Sequence, residues 1–355
     1  MISFFKKKIT EADFGKGLIP SSPDSRDYLH KEIAGAPTPP NWQEKNPANF
    51  ITYPMKNQAQ TDACVAFAYA KQLEIDEFSE NGIYRILSPR SIYPFGFVSP
   101  DGGMNDRQAS TIVGSRGATL EFLLPSQNMT EVQMRDASDY ILDAKQIALV
   151  YKPDAVVFAD NQLDTIASII ETYRSQNQKK GIGIVVTGSN NGTWLSNFPQ
   201  PPAPNETTWS HKVVATDYGL INGQKFISID NSWGTVAGMN GKQFIGENYT
   251  PSIAESNYTL NLPDDWQAQA QSVPKPQYQW NTDLTLGASG QDVLMLQTAL
   301  QSLGMFPISS VIKPTGYFGG ITRNAVQLFQ MTYNISPVTG IVGPLTRAKL
   351  NELFP

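Results

Sequence analysis

The chain has one cysteine and two histidines in 355 residues, and it has no long apolar run. A single thiol, Cys64, cannot pair within the chain and alone makes a poor metal site. A disulfide framework is therefore excluded, and neither a metal nor another cofactor is expected. No apolar run approaches the ~18 residues that a membrane span requires, so no membrane span is expected. The opening "MISFFKKKITEADFGKG" puts its apolar residues before its lysines, the reverse of a secretory signal, so export by a standard signal is not expected. Net charge is −5. A nucleic-acid partner would need a basic face, which that balance does not supply.

What is present suggests a large domain and a small one. Residues 1–45 are rich in Pro, Gly, Ser and charge and read as an extended arm, in which His30 and the lysines at 6–8 are solvated. The body spans 46–262. A helix is predicted from Cys64 to about Glu80, with Asn81-Gly82 as its stop. Leu163, Ile166, Ile169 and Ile170 share a helix face that Gly181 closes. Strands follow in "IGIVVTG", "KVVATDYG" and "QKFISIDNSWG", the last two joined by the hairpin turn Asn222-Gly223. The order is helical front, strand-rich back: an α+β arrangement. Residues 263–283, rich in Pro and Gln, read as a linker. Residues 284–355 contain an internal repeat, G-x-x-G-x-x-T-R, at Gly316 and again at Gly340. With "GQDVLMLQTALQSLG" before it, this predicts a small all-α module of three helices.

Cys64 stands where the first long helix begins. The positive end of the helix dipole favours thiolate there, and a histidine would favour it further. His211 opens a predicted strand, and Asn231 lies across the hairpin from it, where an amide can orient the ring. A lone cysteine with His and Asn far downstream is the pattern of a thiol nucleophile.

At these residues the chain resembles the papain-like cysteine peptidases. "NQAQTDACVAFA" follows the family's pattern around the nucleophile, with Gln58 six residues before Cys64. "LSPRSIY", "DGGMNDRQASTIVGSRGATLEFLLP", and "NSWG" with later "GKQFI" follow in family order, over roughly Ile19 to Asn261. The resemblance implies a two-lobed domain, a helical lobe beside an antiparallel β lobe. It implies Cys64 as nucleophile, His211 as base, Asn231 as its orienter and Gln58 as oxyanion donor. It further implies that Gly102 and Gly103 let substrate backbone approach, and that Trp233 shields the Asn–His hydrogen bond. Val65, Thr61 and Ser210 depart from the family's usual Trp, Cys and Gly. Asp62, two residues before the nucleophile, places a carboxylate where it disfavours a thiolate. With 57 residues before Gln58, control by a folded pro-domain is not expected.

The last 72 residues resemble the peptidoglycan-binding module of bacterial and phage wall enzymes. Val293, Leu296, Leu300, Ala325, Val326 and Phe329 read as its core, and Tyr317 and Tyr333 as candidate glycan contacts. The expectation is a cysteine-type endopeptidase acting on a peptide or protein substrate, targeted to peptidoglycan through 284–355 at the cell envelope, outside the cell or on a virion. The alternative is an inactive scaffold of the same fold in a structural or adhesive role.

Overall fold

The computed structural model describes residues 9–24, 27–33, 38–82, 84–261, 272–306 and 313–355. The chain divides into two compact units. One comprises the chain through Ser22, Thr38–Val156 and Asp160–Thr259; the other comprises Pro23–Pro37, Val157–Ala159 and Leu260–Pro355. The arm expected over 1–45 is therefore shared between them.

In chain order the helices are α1 (His30–Ile33), α2 (Cys64–Asn81), α3 (Asp106–Arg116), α4 (Glu131–Arg135), α5 (Leu142–Val150), α6 (Leu163–Arg174), α7 (Gln291–Ser302), α8 (Gly320–Thr332) and α9 (Pro344–Leu353). The strands are β1 (Leu18–Ile19), β2 (Tyr28–Leu29), β3 (Met104–Asn105), β4 (Ala155–Ala159), β5 (Ile182–Ser189), β6 (Thr208–Ile221), β7 (Gln224–Asp230), β8 (Lys242–Gly246) and β9 (Ile253–Leu260).

In the first unit α2 is the central helix. Residues Cys64 to Ala70 are buried all round, as a helix without a polar face must be. It packs against β6. It ends because Gly82 adopts a left-handed φ of 70° and returns its N–H to the Phe78 carbonyl at 3.0 Å. The helix expected to run to Gly181 stops earlier, at Arg174. The N–H groups of Gln176 and Gln178 both turn back to the Tyr173 carbonyl, and Asn177 takes a φ of 58°. Gly181 serves packing instead: a Cβ there would lie 2.8 Å from the Ile75 Cδ1.

The strands β9–β5–β6–β7–β8 are antiparallel neighbours in that order, the β lobe of an α+β fold. Asn222 (φ 52°) and Gly223 (φ 75°) turn β6 into β7, the positive pair that a tight hairpin needs. On β6 the buried Lys212 ammonium is ion-paired with Asp106 and lies 3.1 Å from the Asn257 Oδ1. The Asn257 amide in turn donates to Asp106 at 2.7 Å. This closed polar triangle ties α3, β6 and β9 together, and each member satisfies another.

In the second unit β2 runs parallel to β4, pairing Tyr28 with Val157 and Leu29 with Phe158. Around α7–α9 the expected core residues Val293, Leu296, Leu300, Ala325, Val326 and Phe329 are all buried. The sequence repeat corresponds to a repeated hydrogen-bond clip. The Gln297 amide donates to the Tyr317 carbonyl (2.8 Å) and Thr322 hydroxyl (2.9 Å) and accepts from the Gly316 N–H (2.9 Å). Gln330 does the same with the Ile341 carbonyl (2.8 Å), Thr346 hydroxyl (3.0 Å) and Gly340 N–H (2.9 Å). The threonines of T-R are thus buried polar pins.

The stretch expected as a linker over 263–283 falls partly outside the described residues. Its end belongs to the helical module: Trp280 is buried, and its indole N–H donates to the Asp292 carbonyl at 2.9 Å. Among the described residues no helix is long and apolar enough to cross a membrane.

Candidate active site

Cys64 begins α2 and is fully buried. The backbone N–H of Lys212, next in chain to His211, reaches toward its sulfur. On β6, His211 faces Val186 of β5. Asn231 directly follows β7, whose last residue, Asp230, pairs with Val214. That register brings the His211 Nε2 to 2.9 Å from the Asn231 Oδ1.

The orientation of the asparagine is not free. Its Nδ2 donates to the Gln243 Oε1 at 3.0 Å, and the Gln243 amide donates to the Trp194 and Ser196 carbonyls at 2.8 and 2.9 Å. Asn231 therefore presents its oxygen to the ring, which makes Nε2 the protonated nitrogen and leaves Nδ1 with a lone pair. That Nδ1 is buried without a hydrogen-bond partner. A base held in one tautomer, with its basic nitrogen unoccupied, is what a thiol nucleophile requires. Gln243 was not singled out in the sequence; it lies inside the quoted "GKQFI".

Gln58 accepts from the Ser232 hydroxyl, which fixes which way its amide points. Its Nε2 donates to the Thr61 carbonyl at 2.7 Å and to the Gly15 carbonyl at 3.0 Å. The second partner comes from the arm. Residues 11–19 run as a strap along the site: Gly15 N–H bonds the Ala59 carbonyl (3.1 Å), Lys16 N–H bonds the Asp62 carboxylate (3.2 Å), and the Gly17 carbonyl accepts from Met104 N–H (2.7 Å). β1 then pairs in parallel with β3. At the other end the buried Glu11 carboxylate accepts from the Gly192 and Trp194 N–H groups.

Gly102 and Gly103 have φ of 90° and 80°. A Cβ on Gly103 would lie 2.5 Å from the Gly17 carbonyl oxygen. At Gly103 the approaching backbone is that of the strap, whereas a Cβ on Gly102 would meet the side chains of Arg135, Glu131 and Asp62. Trp233 is buried, with its ring centroid 5.1 Å from that of His211 and Phe14 of the strap stacked on it at 5.1 Å. Asp62 is half-buried and faces the strap; burial raises its carboxyl above the ordinary value, against the lowering effect of the Lys16 N–H. His30, expected as solvated, is half-buried in the other unit, and the lysines at 6–8 lie outside the described residues. Tyr317 is half-buried with the Lys31 ammonium 5.3 Å over its ring, and Tyr333 packs on Phe329 at 4.7 Å.

Burial sets the charges. It pushes the Cys64 thiol up to about 12 and the His211 imidazole down to about 4, the nearby Lys16 ammonium adding to the second shift. With the strap seated, the pair is neutral. This has a consequence for stability. Between pH 6.5 and 4 the unfolded chain holds a proton on His211 that the folded chain refuses, so this contribution is complete above pH 6.5 and is lost as pH falls toward 4. The loss is about 3 kcal/mol. Unfolding free energies of the native protein and of His211→Gln should diverge by that amount between pH 7 and 4. Equal losses in both would mean that the ring is hydrated in the folded state.

Residues 289–350 match a family model described as "Putative peptidoglycan binding domain". Among solved structures, the chain is similar to xylellain, a cysteine protease from Xylella fastidiosa, at 16% identity. That match covers 73% of this chain and 99% of xylellain, with a TM-score of 0.55. It is also similar to a cysteine protease of Carica candamarcensis (20% identity, 59% and 93% covered, TM-score 0.43). A digestive procathepsin L 3 of Tenebrio molitor larval midgut is a further match (16% identity, 66% and 77% covered, TM-score 0.47). The chain thus has the papain-like cysteine protease fold, followed by a helical region that carries a peptidoglycan-binding domain.

Proposed function

We propose that the protein is a cysteine peptidase kept latent by its own strap and directed to the cell wall by its C-terminal module. The observation that carries this is the His211–Asn231 pair at 2.9 Å, whose buried Nδ1 is unoccupied, together with a buried cysteine at the start of α2 toward which the backbone N–H of Lys212, the residue after His211, reaches. With the strap away, the Cys64 proton passes to His211 Nδ1, and the thiolate attacks a peptide carbonyl. The oxyanion takes the Gln58 Nε2–H that Gly15 now holds, together with the Cys64 backbone N–H; such donors contribute about 2.7–4 kcal/mol each. The imidazolium protonates the leaving amine. Water, deprotonated by the same ring, then hydrolyses the thioester.

The alternative is an inactive scaffold of the same fold in a structural or adhesive role. Full-length protein carrying Gly15→Val and Gly17→Val, incubated with quenched fluorescent peptides, separates the two. Turnover that vanishes on adding Cys64→Ala supports the peptidase; a reactive thiol without turnover supports the scaffold. For the wall, the full-length protein should co-sediment with purified sacculi, and a chain ending at residue 261 should not. Equal sedimentation of the two would assign the module a different partner.

A further inference from the structure

The strap's lysine occupies a site that the body of the protein builds for it. The Lys16 ammonium lies 5.2 Å from the Trp209 ring centroid and 5.7 Å from that of Trp233, and 3.2 Å from the Asn190 Oδ1. It also donates to the strap's own Glu11 carbonyl at 2.6 Å. The other three groups belong to the body, and they are set in place without the lysine. Trp209 donates its indole N–H to the same Asn190 oxygen at 3.2 Å, so that oxygen points into the cage. Its ring packs against Gly188, where a Cβ would come within 2.3 Å of it, and meets Trp194 edge-on at 5.2 Å. Trp233 is packed against His211. Two indole faces and a carbonyl oxygen form a receptor for an ammonium ion on an apolar stem. The cage adjoins the catalytic histidine, so its occupant lies beside the scissile bond. Of the acidic groups that face Lys16, Glu11 and Asp13 leave with the strap, whereas Asp62 remains with the body.

We infer that Trp209, Trp233 and Asn190 form a subsite for a primary-amine side chain of the substrate, next to the bond that is cut. This rests on the peptidase reading. Lysine in a protein and a diamino acid in a peptidoglycan stem offer the same ammonium on a carbon chain, and the strap holds the cage with its own lysine until substrate replaces it. A cation over two indoles favours lysine over its uncharged isostere by about tenfold.

The experiment uses full-length protein with Gly15→Val and Gly17→Val, once with Cys64 and once with Cys64→Ala. Peptides identical except for lysine, norleucine or glutamate beside the scissile bond are compared by kcat/KM in the first and by binding, read from tryptophan fluorescence, in the second. Lysine should lead norleucine by about tenfold in both, glutamate should trail, and Trp209→Leu should collapse the lysine-to-norleucine ratio toward one. Adding a γ-linked stem peptide to the panel tells which source of the amine fits. Tighter binding of lysine peptides without any turnover keeps the subsite and overturns the peptidase. Turnover or binding that ignores the amine overturns the subsite and leaves the cage as the strap's seat alone.

Discussion

Full-length protein carrying Gly15→Val and Gly17→Val should react with a thiol-directed epoxide at Cys64 at least about a hundred times faster than the native chain. The two glycines admit no side chain while the strap is seated. A Cβ at either position would lie 1.9 Å from a backbone oxygen, that of Thr61 for Gly15 and that of Asp62 for Gly17. Backbone that starts α2 cannot yield by that much, so the strap must lift. Burial is the first cause of the raised Cys64 thiol. A thiol at about 12 is ionised to roughly one part in 10⁵ at neutral pH, while an ordinary cysteine near 8.5 is ionised to a few per cent. About three decades of thiolate separate the two environments, and a hundredfold gain claims only part of them. The rate is read by intact-mass spectrometry over time. A change below about threefold would mean that the strap is not what shields the sulfur.

In that opened protein, Cys64→Ala and His211→Ala should each lower peptide turnover by about 10⁴ or more, because a nucleophile and its base act as one unit. Asn231→Ala should cost no more than about 10², since it removes the orienter and leaves the base. Gln58→Ala removes one oxyanion donor and should lower kcat by about 10²–10³. Cys64→Ala deletes a single sulfur from the core, so its stability change should stay within about 1 kcal/mol. Turnover that survives Cys64→Ala would end the cysteine mechanism, and an Asn231→Ala loss equal to that of His211→Ala would show that the amide does more than orient the ring.

The catalytic candidates were legible because each announces itself locally: one cysteine at a helix start, one histidine at a strand start, one asparagine across a two-residue turn. The α2 stop at Gly82 and the β6–β7 turn were legible for the same reason, since glycine and asparagine control the backbone where they stand. The strap was not. Its seat depends on Gly15 meeting Gln58 and on Glu11 meeting Gly192 and Trp194, contacts that no periodicity within the arm encodes. The cage was hidden likewise, because Trp209 and Asn190 meet only through the β5–β6 pairing. Trp280 looked like linker because its neighbours are Pro and Gln, although its burial depends on residues of α7 and α9. Gly181 looked like a helix stop because glycine usually is one; a close approach to Ile75 was the competing use.

The strap's glycines also bear on how this chain responds to random change. In most enzymes nearly every substitution near the active site lowers activity, and rare gains are scattered. Here two positions stand apart. Any replacement of Gly15 or Gly17 adds a Cβ where a backbone oxygen already sits, so every possible missense change at these two codons pushes toward release. A saturation screen scored for peptide turnover should show both positions as uniform columns of gain, flanked by columns of loss at Gln58 and Cys64. Selection for restraint would then act on these two glycines, and populations freed from the need for restraint would lose them first.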